Sequence, residues 1–311
     1  MDIWLLISDS LFLLFILAMI NSMKKKEFGK FITSFLIVLG TVWLIKEAFK
    51  IPRPYSFNNS NYGYSFISMH AALAFQSIYF LREYVVLWIW PLLIAISRIK
   101  LGVHRFIDVL LGSIYGLYVS FVIDKEWNRL KRNFIENKGE ILRKLVHITF
   151  YLTYPFLALY NVIYFYVYTI FTLVALFIII LTQGEAIGPF KELENIKREK
   201  ESLYHITYFP LLSLLLMIFF NDPYLVAFVG LTFAIGDGLV GLLNILIRNY
   251  RLSLAITSFY LFLIVSTALD LKFGIFSAIS FLLADFISKI FRINDNYTIP
   301  LISFLIYFLI I

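Results

Sequence analysis

Apolar runs of about twenty residues recur along the whole chain, and they constrain its fold more than any other feature. A helix of that length crosses the hydrocarbon core of a bilayer and satisfies its backbone hydrogen bonds internally. With 61% hydrophobic and 15% charged residues, the chain is too apolar for a soluble globule. The sequence therefore predicts an all-α, polytopic integral membrane protein with about twelve transmembrane helices in two helical-bundle domains. The predicted spans are 3–22, 31–49, 65–81, 84–99, 105–123, 145–160, 162–181, 203–220, 224–247, 252–269, 273–291 and 297–311.

The net charge of +7 is explained by the distribution of the cations. With the N-terminus outside and twelve spans, 20 of the 27 Lys and Arg residues fall in inner loops, as the positive-inside rule expects. Anionic headgroups at the inner leaflet attract such residues, so the bilayer is the expected partner and nucleic acid is not. Six of the other seven cations lie together at the predicted outer face of the first half. The positive-inside rule does not explain their position. These six are Lys46, Lys50, Arg53, Arg98, Lys100 and Arg105.

A polar stretch at residues 124–144 separates five predicted spans from seven. It has the composition of an amphipathic segment at the inner membrane surface. The sequence therefore predicts a domain boundary near residue 135, with domains at 1–135 and 136–311. A second polar loop, at 182–202, interrupts the second domain.

Two segments at the predicted outer face combine cations with a helix start. Lys46 and Arg53 flank the end of the second span, where prolines turn the chain along the surface. Ser68 is placed to cap the next helix, which puts Met69 and His70 in its first turn. The free N–H groups of a helix N-terminus favour an anion. Taken singly, such cations are more often headgroup anchors and such a cap is common in any protein.

A third segment at the same face contains Arg98, His104 and Asp108. The i, i+4 spacing of His104 and Asp108 allows the carboxylate to accept an imidazole N–H on one helix face. The pair alone could equally satisfy a polar group at the interface. Converging on one face of the membrane, the three segments predict a phosphate site with its own nucleophile and acid.

The same residues also resemble the sequence signature of a known family. Lys46-x6-Arg53-Pro54, Ser68-Met69-His70 and Ser97-Arg98-x5-His104-x3-Asp108 resemble the tripartite signature of the type-2 phosphatidic acid phosphatase superfamily. The resemblance implies that His104 attacks phosphorus and forms a phosphohistidine, that Asp108 orients it, and that His70 protonates the leaving oxygen. It implies no metal and no cofactor. The phosphate-binding residues that it implies are Lys46, Arg53, Ser68, Met69 and Arg98.

The chain departs from that family in two respects. Met69 stands where the family usually has glycine, which narrows the approach of the backbone to the phosphate but leaves its N–H in place. The family's membrane enzymes commonly have six spans, whereas the first half of this chain has five predicted spans.

The second half contains three polar segments, "RKLVH" (143–147), "GDGLVG" (236–241) and "NDNYTIPL" (294–301). An aspartate within a membrane helix is costly and usually functional, while glycines there commonly allow close helix packing. The segments resemble the dolichol kinase and phytol kinase family, which implies a lipid kinase using CTP and Mg²⁺. The region "NILIRNYRLSLAITS" (244–258) lacks the glutamate and glycine typical of that family. The implied site residues are Arg143, Lys144, His147, Asp237, Asp295 and Asn296.

Three function classes remain. The leading one is a lipid phosphatase of the cell membrane that hydrolyses a polyprenyl or dolichyl phosphate or diphosphate, or a related lipid phosphate, at the outer face. The alternative is a CTP-dependent isoprenoid alcohol kinase acting at the inner face. The third is a non-enzymatic lipid transporter, which would have no need of a nucleophile. The sequence leaves open the lipid chain length, the headgroup and the oligomeric state.

Overall fold

The computed structural model describes residues 2–54, 63–181 and 204–311, and within these ranges the regular structure is helical without strands. The chain divides into two compact units, Met1–Asn128 and Arg129–Ile311. Both this division and the predicted boundary near residue 135 fall within one helix, Phe106–Glu136.

The described part of the first unit is built from helices of unequal length. They are α1 (Ile3–Asp9), α2 (Leu11–Lys24), α3 (Phe28–Phe49), α4 (Met69–Tyr79), α5 (Ile89–Lys100), which follows a 3-10 turn at Val85–Trp88, and α6 (Phe106–Glu136).

Two of these helices are shorter than the predicted spans 65–81 and 84–99. The 11 and 12 residues of α4 and α5 cover about 16–18 Å at 1.5 Å per residue, well short of a bilayer core. α4 starts late because Ile67 adopts a positive φ of 56° and Ser68 then caps the helix. The polar residues before α4 therefore lie in a loop and not in a spanning helix.

The second unit contains the remaining described helices. They are α7 (Lys138–Tyr160), α8 (Val162–Leu181), α9 (Tyr204–Phe220), α10 (Pro223–Ile247), α11 (Tyr250–Ala268), α12 (Leu271–Phe291) and α13 (Asp295–Ile310).

Six described helical segments are long and apolar enough to cross a membrane, judged by length and composition. Every predicted span overlaps a described helix, with α1 and α2 together covering the first one. The prediction of an all-α membrane protein is therefore confirmed. The six segments are Ile3–Lys24, Phe28–Phe49, Phe106–Glu136, Pro223–Ile247, Tyr250–Ala268 and Leu271–Phe291.

Polar groups of the first unit gather at two opposite ends. At one end, the Lys30 ammonium lies 2.6 Å from the Asp124 carboxylate, and the Arg82 guanidinium lies 3.4 Å from the same carboxylate. Lys46 is sixteen residues further along α3, which is about 24 Å along the helix axis. The residues predicted at the inner face thus meet at one end, and the candidate phosphate-binding residues lie at the other.

Two glycines of α6 bring that helix unusually close to the start of α4. A Cβ atom at Gly112 would lie 2.6 Å from the Ser68 carbonyl oxygen, and one at Gly116 would overlap the Ala72 carbonyl oxygen. This Gly-x-x-x-Gly spacing is a common device for close helix packing in membranes. It presses the N-terminal turn of α4 against the N-terminal half of α6.

The Gly116→Ala variant should therefore be less stable than the wild type. The added methyl meets backbone atoms that cannot rotate away, and such overpacking costs about 1–3 kcal/mol. Thermal unfolding of the purified protein in detergent should show a lower Tm. Gly40→Ala is the matched control, because nothing lies within 4 Å of a Cβ at Gly40 in α3. Equal Tm values for the two variants would show that the α4–α6 contact is looser than described.

The second unit is arranged around α10. The most apolar 18-residue window of this helix is 78% buried, against 17–39% for the other five spanning segments. Its neighbours are α7, α11 and α13. A helix that is apolar on all sides is expected in the interior of a bundle. The Asp222 side chain caps it by accepting from the N–H groups of Tyr224 and Leu225.

Candidate phosphate-binding site

The N-terminus of α4 forms one wall of the site. The Ser68 hydroxyl accepts a hydrogen bond from the Ala71 N–H at 3.5 Å, as predicted for a cap residue. The Ser68 N–H donates to the Asp108 carbonyl at 2.8 Å, which ties this turn to α6. Met69 and His70 are the first two residues of α4.

Asp108 and His104 do not share a helix face, because α6 begins at Phe106 and His104 lies in the preceding loop. The His104 Nδ1 lies 3.9 Å from the Asp108 Oδ2, beyond hydrogen-bond distance. That oxygen instead accepts from the Ser65 hydroxyl at 2.6 Å and from the Arg105 N–H at 3.0 Å. The predicted pairing is thus a close approach of two buried groups, with the carboxylate already held in place by other donors.

Two cations of the site are anchored by protein groups. The Lys46 ammonium donates to the Tyr64 carbonyl at 2.7 Å and to the Ser65 carbonyl at 3.4 Å. The Arg98 Nη1 donates to the Ser8 hydroxyl at 2.6 Å, and both of these residues are buried. The anchors are neutral oxygens, so the positive charges remain uncompensated at these contacts.

Three buried N atoms of the site have no hydrogen-bond partner in the part of the chain that the structure describes. They are the Nε atoms of Arg53 and Arg98 and the Nδ1 of His104. Burial, followed by the charges of Lys46, Arg98 and Arg53, lowers the pKa of His104 to about 3. The charges of the same three cations also act on His70. The result is a buried, electropositive site with open donors, which suits a tetrahedral oxyanion.

Two residues of this site, Ser65 and Ser8, lie outside the three sequence motifs. Ser65 lies before the capped helix, and only the folded chain brings its hydroxyl to Asp108, 43 residues away. Ser8 precedes the first motif, and its contact with Arg98 spans 90 residues. The sequence signal that singles out Ser8 is its place in the polar run Ser8-Asp9-Ser10 within an apolar segment.

In the second unit, α7 and α10 bring three predicted residues together. The Lys144 ammonium lies 3.0 Å from the Asp237 Oδ2 and 3.2 Å from its Oδ1. The His147 Nε2 lies 3.1 Å from the same Oδ2. A Cβ at Gly241 would overlap the Lys144 side chain, and one at Gly238 would overlap the Ile148 side chain. Gly241 therefore makes room for the Lys144 side chain that reaches Asp237, and Gly238 allows α7 and α10 to pack closely at Ile148.

The other three predicted residues of the second unit have different surroundings. The Arg143 guanidinium lies 3.1 Å from the Glu140 carboxylate, and its charge also acts on Asp237. Asp295 opens α13, where the charge of Asp237 acts on it. The Asn296 N–H donates to the side chain that caps α13. The predicted loop at 182–202 lies outside the described residues.

Comparison with protein families gives a match for part of the chain. Residues 28–130 match the model of the PAP2 superfamily, and this range contains all eight residues predicted for the phosphatase site. The resemblance of the first half to that superfamily is thereby confirmed. Searches of curated proteins and of solved structures return no match. The match ends at residue 130, so the dolichol kinase-like character of the second half stays a prediction.

The Lys144→Met variant should destabilise the second unit. Removing the cation leaves the Asp237 carboxylate as a buried charge without its main partner, which costs about 3–5 kcal/mol. The measurement is the Tm of the purified protein in detergent. Arg248→Met is the matched control, because its ion pair with Glu136 at 2.7 Å is exposed and contributes about 0–1 kcal/mol. A Lys144→Met protein as stable as the control would contradict this account.

Proposed function

We propose that the first unit hydrolyses a lipid phosphate through a phosphohistidine formed on His104. The observation that carries this proposal is the set of buried donors on Arg53, Arg98 and His104 that have no partner among the described residues. Buried polar groups are normally hydrogen-bonded, so such a set favours a ligand that brings its own oxygens. The match to the PAP2 superfamily over residues 28–130 supports a phosphate ester as that ligand.

In the first step, a neutral His104 attacks phosphorus. The low pKa keeps this imidazole unprotonated at neutral pH, because pH 7 lies above about 3. The Nδ1 faces Asp108 at 3.9 Å, which leaves Nε2 for the attack. Catalytic hydrogen bonds are often long before substrate binds, so a closer approach of Asp108 is expected in the complex. The N–P bond forms as the P–O bond to the lipid breaks. Burial and the nearby cations lower the pKa of His70 to about 4, and the negative charge of the bound phosphate raises it again, so that a protonated His70 gives its proton to the leaving oxygen.

In the second step, water attacks the phosphohistidine and releases inorganic phosphate. His70 now accepts a proton from the water, and the N–P bond breaks to restore His104. In both steps the charge that develops on the equatorial oxygens is stabilised by Lys46, Arg53 and Arg98. The N–H groups at the start of α4 complete the set of donors. No cofactor enters this proposed scheme.

The predicted kinase activity of the second unit would require CTP and Mg²⁺. A Mg²⁺ ion would need a carboxylate such as Asp237, but that carboxylate is already paired with the Lys144 ammonium at 3.0 Å. Within the described residues, no three His, Asp or Glu side chains lie together as metal ligands would. The arrangement does not fit a bound Mg²⁺, and we propose no step through it.

A non-enzymatic lipid transporter is less consistent with the site. Transport alone requires neither a histidine beside buried cations nor a helix N-terminus close to them. The buried donors of Arg53 and Arg98 are accounted for by a phosphate held for reaction at His104.

For the substrate we propose a polyprenyl or dolichyl phosphate or diphosphate, processed at the outer face of the cell membrane. The isoprenoid class is supported by the resemblance of the second-half segments to isoprenoid alcohol kinases. The outer face is supported by the 20 inner cations of the 27 in the chain. Phosphatidic acid is the competing substrate to include in an activity panel.

His104→Ala should lower phosphate release by at least ~1000-fold, because the nucleophile is lost. The measurement is inorganic phosphate released from polyprenyl diphosphate, dolichyl phosphate and phosphatidic acid by detergent-purified protein. Arg105→Ala is the neighbouring control, because its side chain is exposed and its contact with Asp108 is made by the backbone N–H. A His104→Ala enzyme that retains more than a few per cent of the wild-type rate would remove His104 from the nucleophile role.

Vanadate should inhibit the enzyme and EDTA should not. A trigonal-bipyramidal oxyanion fits the cations Lys46, Arg53 and Arg98, and in the proposed scheme these cations supply the charge. Phosphate release is measured with each reagent against a buffer control. Loss of activity in EDTA that Mg²⁺ restores would show that the reaction depends on a metal.

The two polar faces can be tested by labelling single cysteines, since the chain contains no natural cysteine. We expect Asn59→Cys to react with an impermeant maleimide in intact cells and Asn195→Cys to react only after the cells are opened. The reason is that the loop at 50–65 is predicted outside and the loop at 182–202 inside. Labelling of both variants in intact cells, or the reverse order, would overturn the proposed orientation.

A further inference from the structure

A groove of about 410 Å³ opens beside the candidate site in the first unit. Its walls come from α1 and α2 on one side and from α3 and α4 on the other. The apolar part is lined by Phe12, Phe15, Phe35 and Leu73. Ligand pockets commonly enclose about 300–1,000 Å³, so the groove has the size of a binding site.

Three polar residues of the groove wall are linked to the phosphate-binding residues. His70 lines the groove and also experiences the charges of the cation cluster. Ser8 lines it too, and its hydroxyl accepts the hydrogen bond from Arg98 at 2.6 Å. Asp9, another lining residue, has a charge that acts on Arg98. A molecule with its phosphate at Arg98 would therefore have its remaining part directed along the aromatic walls.

We infer that this groove binds the hydrocarbon chain of the lipid phosphate. The inference rests on the proposed phosphatase function, and it assigns the substrate-binding role to α1 and α2. These helices precede residue 28, where the family match begins. The occupant is a lipid chain because five of the eight lining residues are apolar, three of them aromatic, and the polar ones are linked to the cations of the candidate site.

Leu73 provides a direct test, since it is half-buried in the groove wall one turn after His70. Leu73→Trp should lower kcat/KM for a long-chain lipid phosphate at least ~10-fold, because the larger ring occupies space that the chain needs. The kcat/KM for a short-chain, water-soluble phosphate ester should stay within about twofold of the wild type.

Leu92→Trp is the matched control, because Leu92 is 51% exposed on α5 and does not line the groove. This variant should behave as the wild type with both substrates. Equal losses with long and short substrates in Leu73→Trp, or no loss with either, would overturn the inference.

Binding should also be measured without turnover, so that the two proposals can fail separately. A hydrolysis-resistant long-chain phosphonate with a diazirine on the chain should label peptides that contain Phe12, Phe15, Phe35 or Leu73. Leu73→Trp should reduce that labelling, and Leu92→Trp should not. If the wild type is labelled in the groove but releases no phosphate from any lipid, the groove assignment stands and the phosphatase function falls. Labelling spread evenly over the lipid-facing helices, or unaffected by Leu73→Trp, would overturn the groove assignment.

Discussion

The candidate site depends on the close approach of α6 to the start of α4. Gly112 and Gly116 remove the side chains that would hold the two helices apart, and the Ser68 N–H can then bond the Asp108 carbonyl at 2.8 Å. This contact places the first turn of α4, with His70, beside the loop that carries His104. The sequence motifs lie on different segments of the chain, and this contact is one of those that hold these segments together.

Around that contact, three cations of the first unit, Lys46, Arg53 and Arg98, lie close enough for their charges to oppose one another. Arg53 and Arg98 each have a buried Nε without a partner in the described structure, and the carboxylate of Asp108 is already satisfied by Ser65 and a backbone N–H. Burying an unpaired charge is costly, so a structure that does so gains free energy when an anion enters. The excess of cations is thus the physical basis for the proposed affinity for phosphate.

In the second unit, the buried charge of Asp237 has a partner of opposite charge close by. There the Asp237 carboxylate lies 3.0 Å from the Lys144 ammonium and 3.1 Å from the His147 ring, so its charge is matched locally. Gly241 makes room for Lys144, and Gly238 makes room for the neighbouring Ile148, as small residues do in other membrane bundles. The "GDGLVG" segment therefore has a sufficient explanation in helix packing and charge pairing.

The helical membrane fold and the members of the candidate phosphate site follow from the sequence alone. The length of the apolar runs predicts helices that cross a bilayer. The side-chain chemistry of His104 and Arg98 makes them candidate site residues before the fold is known. Only the tertiary structure shows that α4 is a short helix, that Ser65 rather than His104 bonds the Asp108 carboxylate, and that Ser8 anchors Arg98. The last two features are contacts between residues 43 and 90 positions apart in the chain. Local patterns carry no information about such contacts, because they form only when helix packing brings distant segments together.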